Sequence, residues 1–306
     1  MIGRPLIPMS FTHLRAKNFL HSDKGAAKMN KTARLVTVLA VAAALLSTAG
    51  CNKLKARDQL NKGVQSFRGA NYEEAIGHFQ NAVSLDSDLK VAKMYLATAY
   101  AQQYVPGVET PENLRNAQLA IDQYKQVLTS DANNVTSLKG IAFLYMQQKK
   151  FDEAREYYKK AITADPNDPE TYYSVGVIDW SQAYKDAADV KSKEGLKVED
   201  ELKGKGSQKI CDQLKSKDGE VVDEGMKMLQ TAIDKRQDYD DAMAYMNLLY
   251  RRKANDMTCE DAQARAEDVK TANEWSDKAM AARKKKAEEA SKKTSGGIVL
   301  DQPKSK

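Results

Sequence analysis

The stretch Ile141-Ala-Phe-Leu-Tyr-Met-Gln-Gln-Lys-Lys-Phe151-Asp-Glu-Ala-Arg-Glu-Tyr-Tyr-Lys-Lys-Ala161-Ile-Thr-Ala-Asp-Pro166 decides the fold. Its apolar residues recur at three- and four-residue steps in two runs, separated by the polar link Gln147 to Lys150, which predicts two helices joined by a tight turn. Ala142, Ala154 and Ala161 fall where two antiparallel helices approach closely, and Tyr145 and Tyr158 are large enough to fill the space between them. Pro166 ends the hairpin, and Asn167-Asp168 supply capping side chains for the next helix.

The same skeleton of small, aromatic and proline positions returns along the chain. Gly63, Ala75, Phe79 and Ala82 repeat it, with Ser66 in place of the tyrosine and Ser87 in place of the proline. Leu96, Ala97 and Tyr100 open another unit, closed by Ala120 and Tyr124 after an insertion around Val105 to Glu112. There Thr110-Pro111 reads as a cap followed by proline in the first turn. A fourth unit opens with Tyr172, Val175 and Gly176 and resumes at Gly225, Leu229 and Ala232. The long segment between them, near 182–222, is expected to carry short helices of its own. A fifth opens at Asp241 with Met243, Met246 and Tyr250 and closes through Ala272, Trp275 and Ala279.

The pattern resembles the tetratricopeptide repeat, whose period is about 34 residues. That resemblance implies an all-α solenoid of about five antiparallel hairpins over 56–282, with units near 56–89, 90–134, 135–168, 169–239 and 240–282, insertions near 104–114 and 182–222, and frayed or disordered termini. The segments 106–116 and 239–250 also resemble stretches of repeat lipoproteins from acidobacteria, a likeness that brings no assigned activity.

Charge divides the chain into a leader and a body. The first fifty residues hold seven Lys and Arg against the single acid Asp23, which accounts for the whole net charge of +6. Within them Leu35 to Leu46 is apolar except for Thr37, with Lys31 and Arg34 before it and Ser47-Thr48-Ala49-Gly50 after it. Twelve helical residues rise about 18 Å, short of a bilayer core of about 30 Å. Basic, apolar, then small is the layout of a secretory signal peptide, here 29–50. Thr48-Ala49-Gly50-Cys51 resembles the lipobox of bacterial lipoproteins, departing from it at Thr48, where the pattern has leucine. The resemblance implies lipidation at Cys51, a linker over 51–55 and an envelope location, outer membrane rather than inner because Asn52 follows the cysteine. Ordinary cleavage, leaving Cys51 free or disulfide-bonded, is the alternative. Residues 1–28 precede Met29-Asn30-Lys31, itself a normal signal-peptide start, and are expected to be a mis-called extension.

In an array of this type the first helix of each hairpin lines a concave groove, and positions beside its core residues face that groove. These are Phe67 and Arg68, then Met94 and Gln102, then Lys139, Phe143, Met146 and Gln147, then Tyr173, Val177 and Trp180, and finally Leu248, Arg251 and Arg252. Apolar side chains in the middle and cations at the end suit an apolar or aromatic side chain of a protein partner, with Arg251 and Arg252 pairing an acid. The long insertion either leaves this surface open or folds back over it.

Catalytic chemistry finds little support. Without the leader, His78 is the only histidine, so neither a histidine-based metal site nor a Ser-His-Asp triad can be assembled. Gly204-Lys205-Gly206-Ser207 lacks the spacing of a phosphate loop and follows no predicted strand. Cys211 and Cys259 form an even pair, open to either a bridge or two free thiols. The tail 283–306 carries eight basic residues against three acids, suiting either a solubilising end or a contact with an anionic surface. The expected class is a non-enzymatic scaffold for other envelope proteins, held to the membrane by its N-terminal lipid, without cofactor, metal, nucleic acid or small-molecule substrate. Its alternatives are a structural subunit of an outer-membrane or pilus assembly machine, or an accessory factor of an envelope enzyme.

Overall fold

The computed structural model describes residues 31–203, 206–259 and 261–295. The expected extension over 1–28 and the end of the tail lie outside them. Among the described residues the chain forms ten helices and no strand: α1 (Lys31–Arg68), α2 (Tyr72–Leu85), α3 (Lys90–Gln103), α4 (Pro111–Leu128), α5 (Val135–Gln147), α6 (Phe151–Ala164), α7 (Pro169–Ser192), α8 (Ser207–Lys235), α9 (Asp240–Asp256) and α10 (Ala262–Ser295). None of them is long and apolar enough to cross a membrane. Met1–Cys51 and Asn52–Lys306 separate as two compact units. Of the first, α1 supplies the helical part from Lys31, and Cys51 is exposed.

In the second unit each helix packs on the next, so hairpins α3–α4, α5–α6, α7–α8 and α9–α10 stack in sequence. The first helices also meet one another directly, α3 with α5 and α7 with α9, as the inner layer of a curved stack must. Local chemistry sets the ends. Thr110 caps α4 by accepting from the Asn113 N–H, Asn134 caps α5 by accepting from Ser137, and Asp168 caps α7 by accepting from Glu170, with Pro111 and Pro169 in the first turns.

Small residues allow the close approaches. Ala142, Ala154 and Ala161 are fully buried, and Tyr158 beside them is nearly so. A Cβ placed on Gly140 would stand 2.6 Å from the Tyr124 ring, and one on Gly63 2.5 Å from the Phe79 ring. The spacing of these residues is thus the seam where hairpins touch.

The segment near 182–222 departs from expectation. It forms no short helices of its own. It lengthens α7 and α8, leaving a loop between Ser192 and Ser207. The reason is periodic: Ala183, Ala187 and Val190 continue the buried face of α7, and Ile210, Leu214 and Val222 continue that of α8. Leu202 and Val198 from the loop close this added core, and Cys211 is bonded to Cys259 just after α9. The start of the basic tail is also ordered. Arg283 and Lys286 extend α10 and pair with Asp240 at the start of α9, at 2.8 and 2.7 Å.

A candidate binding cleft

Two interruptions of the repeat pattern, the α3–α4 turn and the lengthened α7, stand on either side of the α5–α6 turn. Between them lies a cleft of about 690 Å³ lined by Pro106 and Gly107 on one side, Met146, Lys149 and Phe151 below, and Val177, Trp180 and Tyr184 on the other. Gly107 lies in the left-handed region with φ of 79°, which glycine adopts without penalty. Asn113 holds this turn: its side chain donates to the carbonyls of Val105 and Val108 and accepts from the Val105 N–H. The opposite wall is aromatic. The Trp180 and Tyr184 rings are 5.3 Å apart, and Trp180 meets Tyr245 of α9 edge-on at 5.4 Å.

Met146, Gln147, Val177 and Trp180, expected to face the groove, all line this cleft. Phe143 lies one turn before Met146 and is 45% exposed, the one aromatic among the large apolar side chains left exposed in the described residues. Met94 is half-buried on α3, Gln102 is exposed at its end, and Leu248 is half-buried on α9.

Other expected groove residues are engaged within the protein. Phe67 is half-buried against the first core, its ring 5.3 Å from Tyr72 and 6.3 Å from Tyr95, while its neighbour Arg68 is exposed. Lys139 pairs with the Asp168 cap at 2.6 Å and so ties one hairpin to the next. Burial pushes the Asp168 carboxyl up, but bonds from Lys139, Thr171 and the Glu170 N–H outweigh it and hold the group below the usual range. Tyr173 packs between Tyr239 and Tyr245, and burial together with nearby acidic groups raises its phenol to about 12.

The expected cationic end is corrected outright at Arg252. Its side chain is buried, with the guanidinium bonded to Asp256 at 2.9 Å, Glu199 at 2.8 Å and the Val198 carbonyl at 3.1 Å. Arg251 is exposed but donates to Asn247 and to Asn273 on α10. The reason is the lengthened α7–α8 hairpin, whose loop brings Val198 and Glu199 onto α9. Pro106, Gly107, Lys149, Phe151 and Tyr184 belong to the cleft but were not singled out from sequence. Tyr184 had a signal, since it follows Trp180 by four residues on one helical face.

His78 is half-buried with Nδ1 2.8 Å from Gln59 Oε1, a contact between α1 and α2. Among the described residues no group of three His, Cys, Asp or Glu side chains is placed to hold a metal ion.

Residues 135–168 match the family model of the tetratricopeptide repeat. No curated protein matches the sequence. Among solved structures the chain is similar to a MamA protein, with 14% identity, a TM-score of 0.52, and 76% of this chain and 94% of that one covered. It is similar also to MamA from residue 41 to the end from Desulfovibrio magneticus RS-1, with 17% identity, a TM-score of 0.51, and 76% and 96% covered. At such identities the likeness is one of fold. Together with the hairpin stack and the inner row of first helices, it makes the chain an all-α solenoid of tetratricopeptide-repeat type.

Proposed function

We propose that the protein is a non-catalytic scaffold of the bacterial cell envelope, anchored by lipid at Cys51 and binding partner proteins on the inner face of its helical stack. The observation that carries the binding role is the cleft flanked by Phe143, in which apolar side chains that could have been buried are left partly open around about 690 Å³. Support for the anchor comes from the order basic, apolar, small, Cys51 in the leader, and from the exposure of Cys51. Several acyl chains on one terminus hold a protein stably at a membrane, whereas a single chain does so only marginally. The bond between Cys211 and Cys259 is consistent with an oxidising compartment, where such bonds persist.

Two experiments test the two halves. Phe143→Ala and Trp180→Ala variants that fold normally should lose partners recovered with the wild-type protein; recovery of the same partners in equal amount refutes the binding face. Mass spectrometry of the mature N-terminus should find a lipid on Cys51, and a Cys51→Ser variant should leave the membrane fraction. An unmodified Cys51 refutes the anchor.

A further inference from the structure

The cleft is made by the segments that interrupt the repeats, so what it selects should follow from those segments. Its walls are the Pro106-Gly107 backbone and the Trp180–Tyr184 pair, a slot of flat surfaces over the side chains of Met146 and Phe151. Flat, apolar walls favour an aromatic or long aliphatic side chain. The charges at the mouth are unequal. Lys185 is paired with Asp189 at 2.6 Å, one turn along α7, whereas Lys149 makes no ion pair among the described residues. A second cavity of about 380 Å³ shares Gly107, Gln147 and Lys149 with the cleft, and it carries Lys150 and the acid Glu109, which forms no ion pair with Lys149 among the described residues.

Lys149 is also unusual in its backbone. It closes α5 with its N–H bonded to the Met146 carbonyl at 2.9 Å, while the Lys150 N–H reaches the Tyr145 carbonyl at 2.9 Å, and its φ is +58°. That is the helix-ending position at which glycine is the favoured residue. Ala70 occupies the matching turn of the first hairpin with the same φ, so the turn itself tolerates a side chain. What sets Lys149 apart from Ala70 is the cleft: there the residue in this conformation is a cation without an ion pair among the described residues.

We infer that this cleft is a specificity subsite for an extended segment of a partner protein, one that presents an aromatic or long aliphatic side chain with a carboxylate within two residues of it. The apolar side chain enters between Gly107 and Trp180, and the carboxylate pairs with Lys149. The inference rests on the reading that the inner face binds proteins and adds which sequence it selects.

Selection of random dodecapeptides displayed on phage against the immobilised full chain tests it, followed by the affinity of the most enriched peptide for wild type, Trp180→Ala and Lys149→Gly. The expected peptides carry the apolar–acidic pair. Trp180→Ala should weaken their binding by at least about tenfold, and Lys149→Gly by about threefold or more, an effect that added salt removes. Lys149→Gly should at the same time melt at a higher temperature than wild type, because glycine relieves the left-handed backbone; weaker binding in a more stable protein separates a binding role from a structural one. Enriched peptides that lack an acid, or that bind both variants as well as wild type, overturn the subsite and leave protein binding by the inner face standing. Peptides that reproduce a stretch of this chain assign the cleft to a second copy and overturn it as well. If nothing is enriched over an unrelated protein, the binding reading falls with the subsite.

Discussion

Arg252 and Asp256 face each other one turn apart on α9, guanidinium to carboxylate at 2.9 Å, and both are almost wholly shut off from solvent. The pair is the centre of a larger set. Lys191 of α7 reaches the other oxygen of Asp256 at 2.6 Å and the Val198 and Asp200 carbonyls at 3.1 and 2.8 Å. Charges buried in this way stabilise only while every partner is present, because removing one strands another without compensation. Arg252→Ala should therefore cost about 3–5 kcal/mol in urea unfolding. Arg251→Ala, on the neighbouring but exposed residue, should cost under about 1 kcal/mol. Equal losses for the two would contradict the assignment of Arg252 to the interior.

The bond between Cys211 and Cys259 closes a loop across 48 positions and ties the lengthened α8 to the end of α9. Its absence enlarges the unfolded ensemble, so Cys211→Ser with Cys259→Ser should unfold about 2–4 kcal/mol more easily than wild type. Hydrogen exchange should quicken in 193–222 and hardly change in α5 and α6. A uniform quickening would place the effect elsewhere.

Asp218 gives the protein a pH dependence of definite sign. Burial, the nearby Asp186 carboxylate and a hydrogen bond with it raise the Asp218 carboxyl to about 7, despite Lys217. The folded state thus holds a proton that the unfolded state releases near pH 4, so this group's contribution to stability is full below about pH 4, is lost steadily as pH rises to about 7, and changes no further above that. Asp218→Asn keeps the neutral form at every pH. It should melt like wild type below about pH 4, gain on it steadily as pH rises, and be more stable at pH 8 by about 2 kcal/mol. A variant less stable than wild type at pH 8 would show that the charged carboxylate is the form the fold prefers.

Gly176 sits at a close contact of the long hairpin. A Cβ there would meet Leu229 Cγ at 2.5 Å and the Gly225 carbonyl at 3.2 Å, and the backbone cannot step aside as a flexible side-chain tip can. Gly176→Ala should cost about 1–3 kcal/mol in thermal unfolding. Gly77→Ala, where nothing lies within 4 Å, should be neutral or slightly stabilising.

The hairpins were legible because their signals are local: Ala142, Ala154 and Ala161 at helical spacing, Thr110 and Asp168 as caps, prolines one residue later. The cleft was legible in half. Val177 and Trp180 share a helical face that the spacing displays, but the opposite wall depends on where the α3–α4 turn lands, and no local rule gives that. Arg252 was misread for the same reason. Asp256, four residues on, is visible in the sequence, whereas Glu199 reaches Arg252, and Lys191 reaches Asp256, only through the long hairpin, Glu199 from 53 residues away. Phe67 likewise finds Tyr95 across the next hairpin. Features set by contacts between distant segments are those that spacing alone does not carry.

Binding of a partner protein by the inner face around the cleft can be read directly in cells. A photo-crosslinking amino acid placed at Phe143, and as a control at the exposed Gln230 of α8, tests it in intact cells making the full chain. Discrete adducts with other proteins should form from position 143 and disappear with Trp180→Ala, and none of the same adducts should form from position 230. No adduct from position 143, or the same adducts from both positions, would contradict it.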